Sequence, residues 1–123
     1  MTTEKPKYVF TITTFDADPD RVATPLVLAN SALACGADVL LWLSLEGVNL
    51  GKRGAADRLV PPRSFPPVAD LLKTYLESGG RIGVCPPCAK THGVTDENRE
   101  PKSEWMGAAA VLAAGQGRQA FSF

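Results

Sequence analysis

Only three cysteines and one histidine occur among the 123 residues, the formal net charge is zero, and no long apolar run is present. Each shortage excludes something. Three cysteines are too few, and odd in number, for a disulfide scaffold, and two of them sit as Cys85-Pro86-Pro87-Cys88, which points to a reducing compartment and a reactive or metal-binding role. Thirteen basic and thirteen acidic residues cancel, so no long-range field draws the chain onto nucleic acid or an anionic membrane, and no direct nucleic-acid partner is expected. No stretch approaches the roughly 18 apolar residues of a membrane span, and Met1 to Lys7 carries no apolar signal region, so the chain is expected in the cytoplasm and away from membranes. Gly47-Val48-Asn49-Leu50-Gly51-Lys52-Arg53 imitates a phosphate loop, but its glycines are too close together and Arg53 stands where Ser or Thr would hold magnesium. No nucleotide or other cofactor is therefore expected.

What is present is ordinary globular composition, 45% apolar and 21% charged, in a chain of the size that folds as one domain, expected here over residues 1–123. Tyr8 to Thr13, β-branched and aromatic, predicts a strand ended by the polar cluster Asp16 to Asp20. Val22, Leu26, Ala29 and Leu33 recur at helical spacing, with Thr24 the expected N-cap, Pro25 the first helical residue and Gly36 beyond the end. Val39 to Leu45 is apolar almost without interruption, as in a central strand covered on both faces. Glu46 to Arg58 breaks periodicity and is a candidate functional loop. Val68, Leu71, Leu72, Tyr75 and Leu76 form one helical stripe that Gly79-Gly80 ends. Arg81 to Cys85 predicts a short strand, Pro86-Pro87 opens a brief helix ending at Gly93, Ser103 to Ala114 predicts an alanine-rich helix, and Gln119 to Phe123 a last strand. This alternation implies right-handed crossovers and a mostly parallel α/β sheet of four or five strands, with helices on both faces.

In such sheets reactive groups collect beyond the carboxyl ends of the strands. Three segments reach that edge: Thr13 to Asp18, Glu46 to Asn49, and Cys85 to Cys88, of which only the last contains a nucleophile. A cysteine at a helix N-cap feels the positive end of the dipole and accepts free backbone N–H groups, which lowers its pKa. Pro86 and Pro87 have no N–H, leaving the amides of Cys88 and Ala89 as the nearest donors. Cys88 points back toward the helix start, where it could resolve an oxidised or persulfidated Cys85, and His92 follows on the same face. Other readings remain open. Cys85, Cys88 and His92 could supply three zinc ligands, although no fourth soft ligand is near in sequence and Cys35 reads as a buried apolar residue at the opposite edge. His92 also suits a helix C-terminus, Glu46 suits a loop-fixing acceptor, and Lys52, Arg53, Arg58 and Arg63 suit a solvated basic loop.

The segment from Arg81 to Glu97 resembles the part of the DsrE/DsrF-like family, including its TusD-type members, that carries a sulfur-accepting cysteine. Glu46-Gly47-Val48-Asn49 after the second strand, the Gly93-Val94 pair eight residues beyond Cys85, and Gly107 in the alanine-rich segment extend the likeness along nearly the whole chain. The resemblance implies a three-layer α/β/α sandwich, assembly as a homotrimer or homohexamer, and relay of sulfane sulfur between donor and acceptor proteins as a persulfide on Cys85. Cys88 and the two prolines depart from the TusD-type pattern. Cys85 and Cys88 are thus the candidate catalytic residues, with Glu46, Asn49 and His92 in support. A dithiol redox protein using the Cys85/Cys88 pair and a catalytically silent oligomeric binding module are the alternatives.

Overall fold

The β-branched and aromatic residues after Pro6 pair on both sides, and they form the first of five strands in the computed structural model, which describes residues 4–123. Met1 to Thr3, part of the N-terminal stretch read above, lie outside the described residues. In chain order the elements are β1 (Lys7–Ile12), α1 (Pro19–Ala34), β2 (Asp38–Leu43), two 3-10 turns (Leu45–Gly51 and Ala55–Arg58), α2 (Val68–Glu77), β3 (Arg81–Val84), α3 (Pro86–His92), β4 (Ser103–Trp105), α4 (Ala108–Ala114) and β5 (Gln119–Ser122). The sheet order is β4-β3-β2-β1-β5, with every neighbouring pair parallel. The strand with the longest apolar run, β2, is central as expected, and Val39, Leu40, Leu41 and Leu43 are buried.

The chain steps outward from β1 to β4 and then returns across the sheet to lay β5 on the free side of β1. Right-handed crossovers in one direction place their helices on one face, so the reversal after β4 sends α4 to the other. The first face is thick: Phe10, Ile12, Leu41, Leu43, Ile82 and Val84 share a core with Val22 and Leu26 of α1 and Val68 and Tyr75 of α2. The second is thin, with Val9, Leu40 and Met106 packed by Val111 and Ala114 of α4, a helix that has no buried residue of its own.

Three expectations are corrected. Helix α1 begins at Pro19, not at Pro25: the Asp18 side chain caps it by accepting the Arg21 N–H at 3.3 Å, and Pro25 lies buried inside the helix. Both prolines satisfy the rule for a first helical residue, and the Asp18 cap together with the buried Val22 and Ala23 extends the helix back to the earlier one. Thr24, rather than capping, donates its hydroxyl to the Asp20 carbonyl at 2.7 Å. The alanine-rich segment is likewise not one helix, since Ser103 to Trp105 pair with β3 and only Ala108 onward is helical. Tertiary pairing overrides helical propensity there: the Met106 N–H donates to Val84 O at 2.8 Å, and its side chain fills the space a β-carbon on Gly83 would need. Finally, Cys35, the C-cap residue of α1, is exposed rather than buried because the last turn of that helix, from Ala34 through Gly36, faces solvent.

Candidate functional site

The ladders continue past the formal strand ends, which brings the three predicted segments to one edge. Ser44 N–H donates to Ile12 O at 3.1 Å, Cys85 N–H to Leu43 O at 3.0 Å, and Thr13 N–H to Phe123 O at 3.1 Å. Cys85 is therefore the last residue held by the sheet and also the N-cap of α3, in extended backbone conformation. Pro86 and Pro87 follow at the first helical positions, where a fixed φ suits the turn and a missing N–H has no helical partner to lose.

The expected backbone donors divide their work. The Ala89 N–H closes the first helical turn on the Cys85 carbonyl at 2.9 Å, while the nearby Cys88 N–H favours the Cys85 thiolate without making a capping hydrogen bond to it. The Cys88 thiol sits one helical turn on, at the third residue of α3. Cys85 itself is 9% exposed and belongs to the core that holds Val48, Leu50, Ala89 and Val94, whereas Cys88 is half-buried against that core. Burial pushes the Cys85 thiol above its ordinary range; the Cys88 N–H opposes this, and the neighbouring Cys88 thiol adds to it. This corrects the expectation of a lowered pKa, because loss of solvent around the sulfur outweighs the single amide that the two prolines leave available.

The turn Leu45–Gly51 packs against α3, so Glu46 to Asn49 stands beside the dithiol as the order of segments predicted. Asn49 uses its side-chain amide to hold the Glu46 carbonyl at 2.9 Å, a loop-fixing role, and the Glu46 side chain is exposed. The close fit of this turn rests on two glycines. A β-carbon on Gly47 would collide with the Ile12 backbone, and one on Gly51 would stand 3.3 Å from Cγ2 of Val84. Sequence reasoning missed Leu45, which has φ 51 and is 59% exposed at the same edge. Nothing in the sequence signals it, since leucine rarely adopts left-handed backbone.

His92 ends α3 next to Gly93, whose φ of 75 closes the helix, so its position fits the helix-terminus reading. Among the described residues no three His, Cys, Asp or Glu side chains converge as metal ligands do, Cys85, Cys88 and His92 included. Part of the basic loop is tied down, while Arg58 and Arg63 are exposed. Lys52 bridges Arg99, the Arg53 N–H donates to Asn98 O at 2.8 Å with its guanidinium on the Glu97 carbonyl, and the Glu100 N–H reaches Gly51 O at 2.7 Å. These bonds clasp the turn to the loop that leaves α3. On the outer side of α3 runs a cleft of about 410 Å³, lined by Pro86, Ala89, Lys90, Val94, Thr95 and Trp105. A larger cavity, about 620 Å³, lies at the opposite edge among Asp38, Gly79, Gly80 and Arg81, away from the thiols.

Comparison with known proteins agrees with this architecture. The protein MJ0760 of Methanocaldococcus jannaschii is 29% identical over 100 residues, covering 81% of this chain and 36% of that protein. Protein MK0008 of Methanopyrus kandleri is 34% identical over 79 residues, covering 64% of this chain and 61% of its relative. The chain thus spans about a third of the first relative and about three fifths of the second. The crystal structure of the YchN protein from E. coli superposes with a TM-score of 0.77 over 98% of this chain and 100% of that one, at 14% identity, a likeness of fold. The sequence profile of the DsrE/DsrF-like family matches residues 6–120, from the start of β1 into β5, and the chain belongs to that family.

Proposed function

We propose that this protein carries sulfane sulfur as a persulfide on Cys85, taking it from a donor protein or small persulfide and handing it to a partner's cysteine. The Cys85 thiolate attacks the outer sulfur of the donor persulfide, forms the new S–S bond and expels the donor thiolate, and the reverse step delivers the sulfur to an acceptor thiolate. The observation that carries this reading is the position of Cys85 at the junction of β3 and α3, beside the Leu45–Gly51 turn that packs on α3, in a DsrE/DsrF-like fold. Reduced protein incubated with a sulfane-sulfur donor should gain one sulfur atom on the peptide containing Cys85, read by mass spectrometry. A chain that never gains it, at Cys85 or elsewhere, would exclude a carrier.

The same reading includes a homotrimer or homohexamer. Its support is the thin second face: Leu112 of α4 is 73% exposed, and Ala108, Ala109 and Ala110 are exposed beside it. A second copy laid on α4 would complete the layer. Light scattering should return a mass of three or six chains, and a monomer at all working concentrations would refute this.

A further inference from the structure

The reading of Cys85 as a carrier leaves the second thiol without a task, and its placement assigns one. We infer that Cys88 is a resolving thiol that discharges the Cys85 persulfide as free sulfide, which makes the protein a sulfide-releasing persulfide reductase whenever no acceptor intervenes. The inference rests on the carrier reading but goes beyond it, because the product becomes hydrosulfide and not protein-bound sulfur.

Position selects the sulfur that Cys88 attacks. Cys88 is the third residue of the helix that Cys85 caps, one turn on, so the sulfur nearest to it is Sγ of Cys85, which becomes the inner sulfur of the persulfide, while the added sulfur lies about 2 Å further along the new S–S bond. Cys88 is also the more accessible of the two thiols. The step balances as follows: the Cys88 thiolate bonds to Sγ of Cys85, the S–S bond to the outer sulfur breaks, and hydrosulfide leaves with the electron pair. The outer sulfur is thereby reduced to sulfide and the two thiols are oxidised to a Cys85–Cys88 disulfide. Return to the starting state needs a dithiol reductant, which takes up the disulfide by exchange and is itself oxidised.

The leaving groups favour the same route. Attack on the outer sulfur would expel Cys85 as a thiolate, a poorer leaving group because burial makes it more basic, whereas attack on Sγ expels hydrosulfide. The backbone permits closure. The residues are the N-cap and the third residue of α3, and neither Pro86 nor Pro87 has an N–H whose bond must break when the first turn tightens. The Ala89 to Cys85 bond spans that turn.

The test mixes reduced protein, without oxygen, with one equivalent of glutathione persulfide, and measures sulfide together with intact mass. The wild type should release one sulfide per chain and lose two hydrogens. Cys88→Ser and Cys88→Ala should each hold one added sulfur atom on Cys85 and release no sulfide, and Cys85→Ser should form no disulfide. A wild type that keeps its added sulfur and releases no sulfide, as the Cys88 variants do, overturns the resolving role and leaves the carrier standing. Cys88 variants that gain no sulfur sink the carrier reading and this inference together. Variants that gain glutathione instead, with sulfide released, place the cleavage at the donor and overturn both.

Discussion

Gly47 lies so close to the end of β1 that a β-carbon built on it would stand 2.1 Å from the carbonyl oxygen of Ile12. That carbonyl also accepts the Ser44 N–H at 3.1 Å, so it cannot yield without loosening the exit of β2. Gly47→Ala should therefore lower stability by about 3 kcal/mol, at the upper end of overpacking because a backbone atom is in the way. Chemical denaturation measures this. Since the same turn packs on α3, sulfur loading at Cys85 should also slow in the folded variant, and unchanged stability would mean that the turn is not held as described.

How much of this could be read beforehand depended on whether the deciding interactions were local. The apolar run from Val39 to Leu45 announced a central strand because burial on both faces leaves no polar alternation, and β2 is central but ends at Leu43, with Leu45 already in the following turn. The pair of prolines after Cys85 announced a helix start for the same local reason. Ser103 to Trp105 failed because its strand is defined by β3, far away in sequence, while its neighbours carry helical propensity. At the site, residue types and their order were legible but the balance of forces on the Cys85 sulfur was not. Burial at 9% exposure is a property of packed neighbours such as Val48 and Val94, and no spacing in the sequence encodes it.

Leu45 gives a prediction of the opposite sign. Its φ of 51 places a leucine in left-handed backbone, and at 59% exposure its side chain gains little from burial in return. Asparagine tolerates that conformation without the extra unfolded-state freedom of glycine. Leu45→Asn should raise stability by roughly 1 kcal/mol. A higher denaturation midpoint at unchanged slope is the expected result, and a lower midpoint would mean that the side chain is covered in solution.

Arg118 fastens the edge of the sheet remote from the thiols. Its side chain is 6% exposed, and it donates to Ala114 O at 2.7 Å, Tyr8 O at 3.2 Å, Asp38 O at 3.1 Å and the Asp38 carboxylate at 3.0 Å. These bonds tie the end of α4 to the beginnings of β1 and β2. Arg118→Met keeps much of the apolar stem but leaves those acceptors without a donor, and should cost about 3 kcal/mol. Cys85 lies at the other edge of the sheet, so sulfur loading by the fraction that remains folded should be unchanged. A variant as stable as the wild type would show that water replaces the guanidinium at no cost.

The Cys85 thiol should carry a signature in pH. Alkylation resolved by peptide mass should show Cys85 reacting half-maximally above the pH of an ordinary thiol, because burial holds the proton on its sulfur. Cys88→Ser removes the neighbouring thiol while keeping the Cys88 backbone N–H, so the Cys85 inflection should move to lower pH. An inflection that stays in place would show that the Cys88 side chain has no part in the shift. Folding stability must follow the same proton. Below the unfolded thiol's pKa both states hold the proton and the contribution is fully present; as pH rises past it the unfolded chain ionises first, and stability is lost until the folded thiol ionises too. Stability should therefore decline from about pH 8.5 upward, and Cys85→Ser should flatten the first part of that decline. The steeper loss at still higher pH should persist in that variant, because burial also raises the Tyr75 hydroxyl well above its ordinary range.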